Sequence, residues 1–216
     1  MTSAQQIPST ARGQARRVAM INAARAVFLE NGYASTTLDM VIAQAGGSRR
    51  TLYECFGDKA GLFRAVMELQ TADLLAELDT VSPASVAPEQ ALTQIGRIYL
   101  NMVLSDEAIA LYRLLVAEAP KFPEMCESFY QSGPCALRGH LKEYLDRQNS
   151  AGTLQVPDTE LAARQFFGLI KSDHQMSALL CPNNGMGMQR DLDGEVGAAV
   201  RVFMAGYRAA TIHPVT

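Results

Sequence analysis

The 216-residue sequence has no tryptophan and three histidines, and no apolar run approaches the roughly 20 residues that a membrane-spanning helix needs. We therefore predict no contact with a membrane. Residues 1–13 are polar and lack the apolar core of a secretory signal peptide, which predicts a cytoplasmic protein. The four cysteines form neither a CxxC pair nor a Cys/His cluster with zinc spacing, so we predict no metal and no other cofactor.

Charge is divided unevenly along the chain. Residues 1–60 contain seven arginines and lysines against four acidic residues, whereas the remaining 156 residues contain 12 basic and 18 acidic residues. A basic head on an acidic body favours a protein that presents one end to a polyanion. The excess in the head is modest, and statistical scatter is the alternative interpretation.

Three short helices are predicted between residues 13 and 60, after a disordered arm over residues 1–12. The segment 14–30 repeats apolar residues at spacings of three and four, and Asn31 and Gly32 follow it as a C-terminal stop. Ser35, Thr36 and Thr37 are the candidate N-caps of the second helix, and Ser48 is the candidate N-cap of the third. A tight glycine turn separates the two helices. This order is typical of a helix-turn-helix.

The remaining residues, 61–216, predict further helices, about nine in the whole chain, and no β-strand. Proline and glycine at Gly133 and Pro134 predict a kink or a split within the seventh helix. The glycine- and asparagine-rich segment 182–187 predicts a mobile loop. The predicted fold class is all-α, with an N-terminal three-helix domain followed by a larger helical domain.

The third predicted helix carries side chains suited to DNA. Arg49 and Arg50 at its N-terminal end can donate to guanine edges or to phosphates, and Thr51 and Tyr53 can reach phosphate oxygens. Helix N-termini also favour phosphate, because their first N–H groups are unpaired. Leu52 and Phe56 are predicted to face the three-helix core. The alternative is a solvated basic turn on an ordinary helical bundle.

Residues 17–64 resemble the N-terminal domain of the TetR family of one-component transcriptional regulators. The matching residues are Ala23, Ala24, Phe28, Asn31, Gly32, Tyr33, Thr36, Thr37, Ile42, Ala43, Ala45, Gly46, Ser48, Thr51, Leu52, Tyr53, Phe56, Lys59, Leu62 and Phe63. The resemblance implies a homodimer, double-stranded DNA as a partner and an inducer pocket in the C-terminal domain. The DNA-binding residues that it implies are Arg17 or its neighbour Arg16, Thr37, Ser48, Arg49, Arg50, Thr51, Tyr53 and Lys59.

Three positions depart from the family pattern: Gly47, which we expect to loosen the turn before the third helix, Arg50 and Cys55. The operator sequence therefore cannot be carried over from relatives. We expect Arg50 to supply a base contact particular to this chain.

Residues 111–123 resemble, more weakly, the AefR and AcrR branch of the family, which implies a small apolar or amphipathic effector. The candidate ligand-binding residues are Leu74, Tyr99, Met102, Arg113, Met125, Cys126, Phe129, Tyr130, Phe167 and His174. Core packing is the alternative for each of them. Arg113 needs a partner on its apolar helix, either an acid such as Glu118 or a ligand carboxylate.

The last two predicted helices are the candidate dimer interface. Their apolar side chains recur at spacings near 3.5, as expected of a two-fold four-helix bundle. The candidate residues are Phe166, Ile170, Val196, Val200, Phe203 and Tyr207. The alternative is that this face packs within its own subunit.

These observations predict a dimeric repressor that a small ligand releases from a palindromic operator. Its predicted domains are a disordered arm (1–12), a helix-turn-helix domain (13–60) and a ligand-binding and dimerisation domain (61–216). No pair of carboxylates and no His/Asp/Ser group forms an evident catalytic arrangement, so no enzyme is predicted. The alternatives are an all-α enzyme or small-molecule-binding protein with an incidental basic end, or a DNA-binding protein whose C-terminal domain only dimerises.

Overall fold

The computed structural model describes residues 10–81, 86–181 and 191–207. Over these ranges the chain forms α-helices, one π-helical turn and no β-strand, which confirms the predicted all-α class. The helices are α1 (Ala11–Ser35), α2 (Leu38–Ala45), α3 (Arg49–Phe56), α4 (Lys59–Val81), α5 (Pro88–Leu104), α6 (Asp106–Glu118), α7 (Pro123–Tyr130), α8 (Ala136–Ser150), α9 (Thr159–Lys171), α10 (His174–Leu180) and α11 (Leu192–Tyr207). The loop predicted over 182–187 lies outside the described residues.

Two of the predicted helices are each divided in the structure. The predicted seventh helix is interrupted by the π-helical turn Gln131–Cys135, where Pro134 has no N–H to donate to the helix. The kink or split predicted there is confirmed. The eighth helix, which the sequence predicts from Asp158 towards Leu180, is divided at Ser172. The φ of Ser172 is 43°, which is left-handed and cannot continue an α-helix. No glycine marks that second break in the sequence.

The first helix begins earlier than predicted. Thr10 is its N-cap, with the side-chain oxygen accepting from the Gly13 amide at 3.1 Å. The expectation of a disordered arm through residue 12 is therefore wrong for Ala11 and Arg12, which are helical; residues 1–9 lie outside the described residues. Near the other end, the helical backbone breaks at Gly32 (φ 76°, ψ 162°), as predicted, and one further turn reaches Ser35.

The chain divides into two compact units that do not follow the predicted boundary at residue 60. The first unit contains the residues up to Ala72 together with Ala110–Pro134. The second unit contains Asp73–Ile109 and the residues from Cys135 onwards. Helices α4 and α6 therefore contribute residues to both units, and the end of α6 with all of α7 belongs to the same unit as the helix-turn-helix.

The core of the first unit is rich in aromatic side chains. The rings of Phe28 and Phe63 lie 5.4 Å apart, and Tyr33 contacts both of them at 5.4 and 5.5 Å. Leu52 and Phe56 bury the inner face of α3 in this core, as predicted. A helix of eight residues is marginal in water by itself, so this apolar contact is what stabilises α3.

The core of the second unit is formed mainly by α5, α8, α9 and α11. The Phe166 ring packs edge-on against Phe203 at a centroid distance of 5.3 Å. A Cβ atom at Gly96 would lie 2.9 Å from Ile170 Cδ1 and 3.0 Å from Val196 Cγ1. Glycine at this position thus allows α5 to pack closely on α9 and α11, and a larger residue would displace the Ile170 side chain. No helix in the described ranges is long and apolar enough to cross a membrane.

Candidate nucleic-acid interface

The helix-turn-helix is fixed by two hydroxyl caps and a glycine turn. The Thr37 side-chain oxygen accepts from the Met40 amide at 3.3 Å and begins α2. The Ser48 oxygen accepts from the Thr51 amide at 3.1 Å and begins α3. Both caps therefore form as predicted, and each satisfies a first-turn N–H that would otherwise need a partner.

Gly47, one of the three departures from the family pattern, is required by the backbone conformation of the turn before α3. Its φ is 114°, a conformation that residues with a Cβ rarely adopt. A Cβ at this position would also lie 2.8 Å from Met20 Cε in α1. The glycine therefore allows the turn before α3 to approach α1, and the turn is tightly packed rather than loosened.

Helix α3 has one buried face and one exposed face. Leu52, Cys55 and Phe56 are buried, whereas Arg49, Arg50 and Tyr53 are exposed, with Tyr53 at 54%. Burial also raises the pKa of the Cys55 thiol, which keeps this residue protonated and apolar in character. The exposed face presents two guanidinium groups and a phenol, which are groups that donate hydrogen bonds to phosphates and base edges.

Both arginines of α3 form ion pairs on the protein surface. Arg49 Nε lies 2.6 Å from Asp39 Oδ1 in α2, and Arg49 Nη2 also contacts that carboxylate. Arg50 Nε lies 2.7 Å from Glu54 Oε1, one turn further along α3. These hydrogen bonds raise the pKa of each arginine. Since all four side chains are exposed, the pairs contribute little to stability and can be exchanged for phosphate contacts.

Arg17 is half-buried beside α3. Its guanidinium carbon lies 5.4 Å from the centre of the Phe56 ring, a cation–π arrangement. Its Nε is buried and has no hydrogen-bond partner among the described residues. The neighbouring Arg16 is exposed, and its guanidinium lies next to the Gly47 turn. Arg17 thus lies against Phe56 at the C-terminal end of α3. Arg16 is the more exposed of the two arginines predicted to contact phosphate.

Lys59 lies at the start of α4, and its ammonium points to the backbone at the end of α1. Its Nζ donates to the carbonyl oxygens of Tyr33, Ala34 and Thr36 at 2.8, 3.2 and 3.1 Å. An ammonium has three N–H donors, and these carbonyls engage all of them. Burial lowers the pKa of Lys59, with Glu118 opposing this shift. This geometry conflicts with the phosphate contact implied by the sequence resemblance.

The candidate ligand-binding residues are divided between the two units. Arg113, Met125, Cys126, Phe129 and Tyr130 belong to the first unit, whereas Leu74, Tyr99, Met102, Phe167 and His174 belong to the second. Met125 is fully buried in the first core, and Tyr130 is exposed. Within the second unit the rings of Tyr99 and Phe167 lie 4.5 Å apart. His174 Nε2 is buried and lies 2.8 Å from Glu195 Oε2.

Two polar residues of α8 were missed by the sequence reasoning. Tyr144 is 1% exposed, and its hydroxyl has no hydrogen-bond partner in the described part of the chain. His140 Nε2 is likewise buried without a hydrogen bond there, with Asp79 Oδ1 at 3.8 Å. The two residues are four apart and share one face of the helix. A histidine and a tyrosine four residues apart, interleaved with Leu137, Leu141 and Leu145, were the available signal.

The candidate dimer residues need correction. Phe166, Ile170, Val196, Val200 and Phe203 are buried in the core of their own unit. The sixth, Tyr207, donates its hydroxyl to Gln165 Oε1 at 2.7 Å. This is the alternative in which the face packs within its own subunit. A periodic apolar stripe shows that a helix face is buried, but not whether the covering residues belong to the same chain.

The other faces of α9 and α11 carry apolar side chains that are exposed in this chain. Leu161 and Leu169 of α9 are each 39% exposed, and Val202 of α11 is 62% exposed. Small residues accompany them, among them Ala198 and Ala205. On α11 the exposed residues Ala198, Val202 and Ala205 lie four and three positions apart, so they form one stripe along that helix.

Two family models match the chain. The model of AefR-like transcriptional repressor C-terminal domains matches residues 90–209, which is more than half of the chain. The model of bacterial regulatory proteins of the tetR family matches residues 20–66, which include α2, α3 and their caps. The DNA-facing helices and the larger helical part are thus matched by two parts of one family.

Curated relatives agree with these matches. TtgR, an HTH-type transcriptional regulator from Pseudomonas putida, is 28% identical over 166 residues, which cover 73% of this chain and 77% of TtgR. YezE, an uncharacterized HTH-type transcriptional regulator from Bacillus subtilis, is 26% identical over 144 residues, which cover 63% of this chain and 72% of YezE. Both relatives are described as transcriptional regulators.

Solved structures of similar fold cover nearly the whole chain. A TetR-family protein from Mesorhizobium loti has a TM-score of 0.79 at 25% identity, covering 92% of this chain and 100% of its own. The flavonoid-responsive regulator FrrA has a TM-score of 0.75 at 27% identity, covering 90% of this chain and 97% of its own. The helical architecture is therefore shared along the full length of these regulators.

Proposed function

The chain belongs to the TetR family of transcriptional regulators, and on this premise we propose that it is a dimeric repressor released from palindromic operator DNA by a small amphipathic ligand. The observation that carries the proposal is the exposed face of α3. Arg49, Arg50 and Tyr53 share this face, and the hydroxyl caps and the Gly47 turn hold α3 at the surface. A preformed helix of this kind fits the major groove, where Arg50 is our candidate base contact.

Dimerisation is supported by the exposed stripe on α9 and α11. Leu161, Leu169 and Val202 are large apolar side chains in water, and exposed apolar stripes of this kind mark association surfaces. A two-fold axis there would pair α9 and α11 of one protomer with those of its partner. It would also present two α3 helices to DNA, at the spacing of about 34–36 Å that successive major grooves require.

The proposed ligand is an amphipathic aromatic molecule bound in the second unit. Tyr99 and Phe167 supply aromatic contact, and Tyr144 and His140 supply buried polar atoms that need a partner. A buried polar group without a hydrogen bond costs about 1–3 kcal/mol, which a ligand hydroxyl would recover. The flavonoid response named for FrrA, a relative at 27% identity, supports this ligand class. We place no ligand contact on the buried Met125 of the first unit.

DNA binding is tested by fluorescence anisotropy with the DNA flanking the gene and with random DNA, at two salt concentrations. We expect tighter binding to one palindromic site, which weakens steeply as salt rises. Arg50→Ala should weaken operator binding by about 10- to 100-fold and random-DNA binding much less, because a base contact carries about 1–3 kcal/mol of discrimination.

Lys121→Ala is the matched control, since it removes the same charge from an exposed position of the same unit. Equal weakening of operator and random DNA by Arg50→Ala would make Arg50 a phosphate contact. A monomeric mass in light scattering would remove the dimer. If no DNA is bound specifically, the result supports the alternative hypothesis of a small-molecule-binding protein or enzyme with an incidental basic end. If DNA is bound but no ligand changes the affinity, the chain is a regulator without an effector.

A further inference from the structure

A cluster in the first unit joins the turn after α6 to the end of α1. Phe122 lies in the turn between α6 and α7, and its ring centre is 4.8 Å from that of Tyr33. Lys59 Nζ lies 4.6 Å from the centre of the Tyr33 ring and 5.9 Å from that of Phe122. The ammonium is thus covered by two aromatic rings, one from the helix-turn-helix and one from the segment 110–134.

Lys59 holds a short segment that leads directly into α2. The three carbonyls that it binds, those of Tyr33, Ala34 and Thr36, follow the break in helical backbone at Gly32. Carbonyls at a helix C-terminus have no partner within the helix, and a cation there also interacts favourably with the helix dipole. The next residue is Thr37, the N-cap of α2. Lys59 therefore fixes the backbone that positions this cap.

The electrostatics of Lys59 suit a structural cation. Burial lowers its pKa, and Glu118 at the end of α6 partly offsets that effect. The carbonyl dipoles and the Tyr33 ring take the place of water around the ammonium. A lysine that contacted phosphate would instead need its N–H groups on the exposed side, where Arg49 and Arg50 lie.

We propose that Lys59 is a positioning residue that orders the N-terminus of α2, and that Phe122 makes this order depend on the turn between α6 and α7. The proposal rests on the proposed function, because DNA binding is one of its readouts. Residues 110–134 are flanked in the chain by residues of the second unit. Phe122 is the residue of this stretch whose ring contacts Tyr33 and lies near Lys59 Nζ.

The first test is the salt dependence of operator binding by Lys59→Met, which removes the charge and keeps an apolar stem. Loss of a phosphate contact lowers the slope of log K against log salt by about 0.9. Loss of positioning leaves the slope unchanged and weakens binding at every salt concentration, by about tenfold, in line with the loss of one helix cap. Lys121→Met controls for the change in net charge, since Lys121 is an exposed lysine of the same unit, in the turn between α6 and α7.

The second test is Phe122→Leu, which alters no charge. We expect it to weaken operator binding without a change of slope and to speed amide hydrogen exchange in the first turn of α2, at Met40 above all. Phe129→Leu is the matched control, because that ring contacts Tyr112 at 6.3 Å and belongs to the same unit.

A slope lowered by about 0.9 in Lys59→Met would overturn the proposal, because Lys59 would then be a phosphate contact. A Phe122→Leu variant with unchanged affinity and unchanged exchange at α2 would overturn the link to the turn. If the wild-type chain binds no DNA, the proposed function fails, but hydrogen exchange still decides the positioning role. Faster exchange at Met40 in both variants would support it, and unchanged exchange would reject it.

Discussion

The candidate binding groups of the two compact units differ in exposure: those of α3 in the first unit lie at the surface, and those of α8 in the second unit have buried polar atoms. In the first unit the arginines of α3 lie in exposed ion pairs, and the half-buried ammonium of Lys59 donates each N–H to a backbone carbonyl. In the second unit, polar atoms of Tyr144 and His140 are buried without a hydrogen bond in the described residues. Buried polar atoms without a hydrogen bond in the described residues also occur in the first unit, at Arg17 Nε, Glu118 Oε2 and Ser128 Oγ. Those of Tyr144 and His140 differ in that they share one face of a single helix, so one ligand could reach both of them.

This difference fits the two kinds of partner. DNA is met at a surface, so the groups that read it must be exposed while the groups that hold them are satisfied internally. A small ligand is met in an interior, so the site must retain buried groups whose hydrogen bonds the ligand completes. Four sets of variants separate the contributions of core packing, of Tyr33 ionisation, of the Gly47 turn and of the buried Tyr144 hydroxyl.

The largest expected effects are those of core truncations, one in each unit. Phe56→Ala and Phe166→Ala each remove a fully buried ring, and each should lower the free energy of unfolding by about 3–5 kcal/mol. Urea denaturation measures both. Phe56→Ala should in addition abolish operator binding, because α3 loses its packing. If Phe166→Ala stayed folded without urea but no longer bound DNA, the two units would not have separate functions.

Ionisation of Tyr33 gives the next largest effect. Burial, together with the charges of Glu124, Asp58 and Glu118, raises the pKa of Tyr33 to about 12. In the unfolded chain a tyrosine has a pKa of about 10, so its contribution to stability is complete below about pH 10 and is lost as pH rises towards 12. At about 1.4 kcal/mol per pH unit, the total loss is about 3 kcal/mol.

Urea unfolding at about pH 9.5 and 11.5, with phenolate absorbance recorded in parallel, measures the effect of Tyr33. Tyr33→Phe keeps the ring and should remove the additional alkaline loss, whereas the exposed Tyr53→Phe should not. An identical pH dependence in the wild type and in Tyr33→Phe would contradict the prediction. Other groups titrate in this range, so the difference between the two chains carries the result.

A change at Gly47 should have a smaller effect on stability, which acts at the start of α3. Gly47→Ala should lower the free energy of unfolding by about 1–3 kcal/mol, because a φ of 114° and the contact with Met20 both oppose a Cβ. Gly139→Ala in α8 is the control, since no described atom lies within 4 Å of its added Cβ. That change should instead stabilise the chain by about 0.5–1 kcal/mol. Thermal unfolding that ranks the two variants the other way would contradict the turn geometry.

The sequence was sufficient where the determinants of structure are local. The N-caps Thr37 and Ser48, the stop at Gly32 and the buried face of α3 were predicted because each depends on residues within one or two turns. The interruption at Pro134 was predicted for the same reason. The exposed face of α3, and with it the candidate DNA contacts Arg49 and Arg50, followed from the same periodicity.

The sequence was insufficient where structure depends on contacts between distant segments. The sequence does not predict that Lys59 binds the end of α1 or that the Phe122 ring lies near its ammonium. Tyr33, Lys59 and Phe122 are far apart in the chain, so no local pattern connects them. The stripe with Val200 and Phe203 was assigned to a dimer, since periodicity does not tell one's own core from a partner's. The break at Ser172 is marked neither by glycine nor by proline, and Ser172 and Asp173 are also tolerated within a helix.

The smallest expected effect concerns the buried hydroxyl of the second unit. Tyr144→Phe removes a group that has no hydrogen-bond partner in the described residues, so it should leave the free energy of unfolding unchanged or raise it by up to about 1 kcal/mol. The same change should weaken an effector that hydrogen-bonds there by about tenfold, as measured by calorimetry or by its release of operator DNA. Tyr112→Phe, in the first unit, is the matched control and should alter neither. A loss of stability of more than about 1 kcal/mol in Tyr144→Phe would show that the hydroxyl is already paired within the protein, and the polar end of the ligand site would then have to be sought elsewhere.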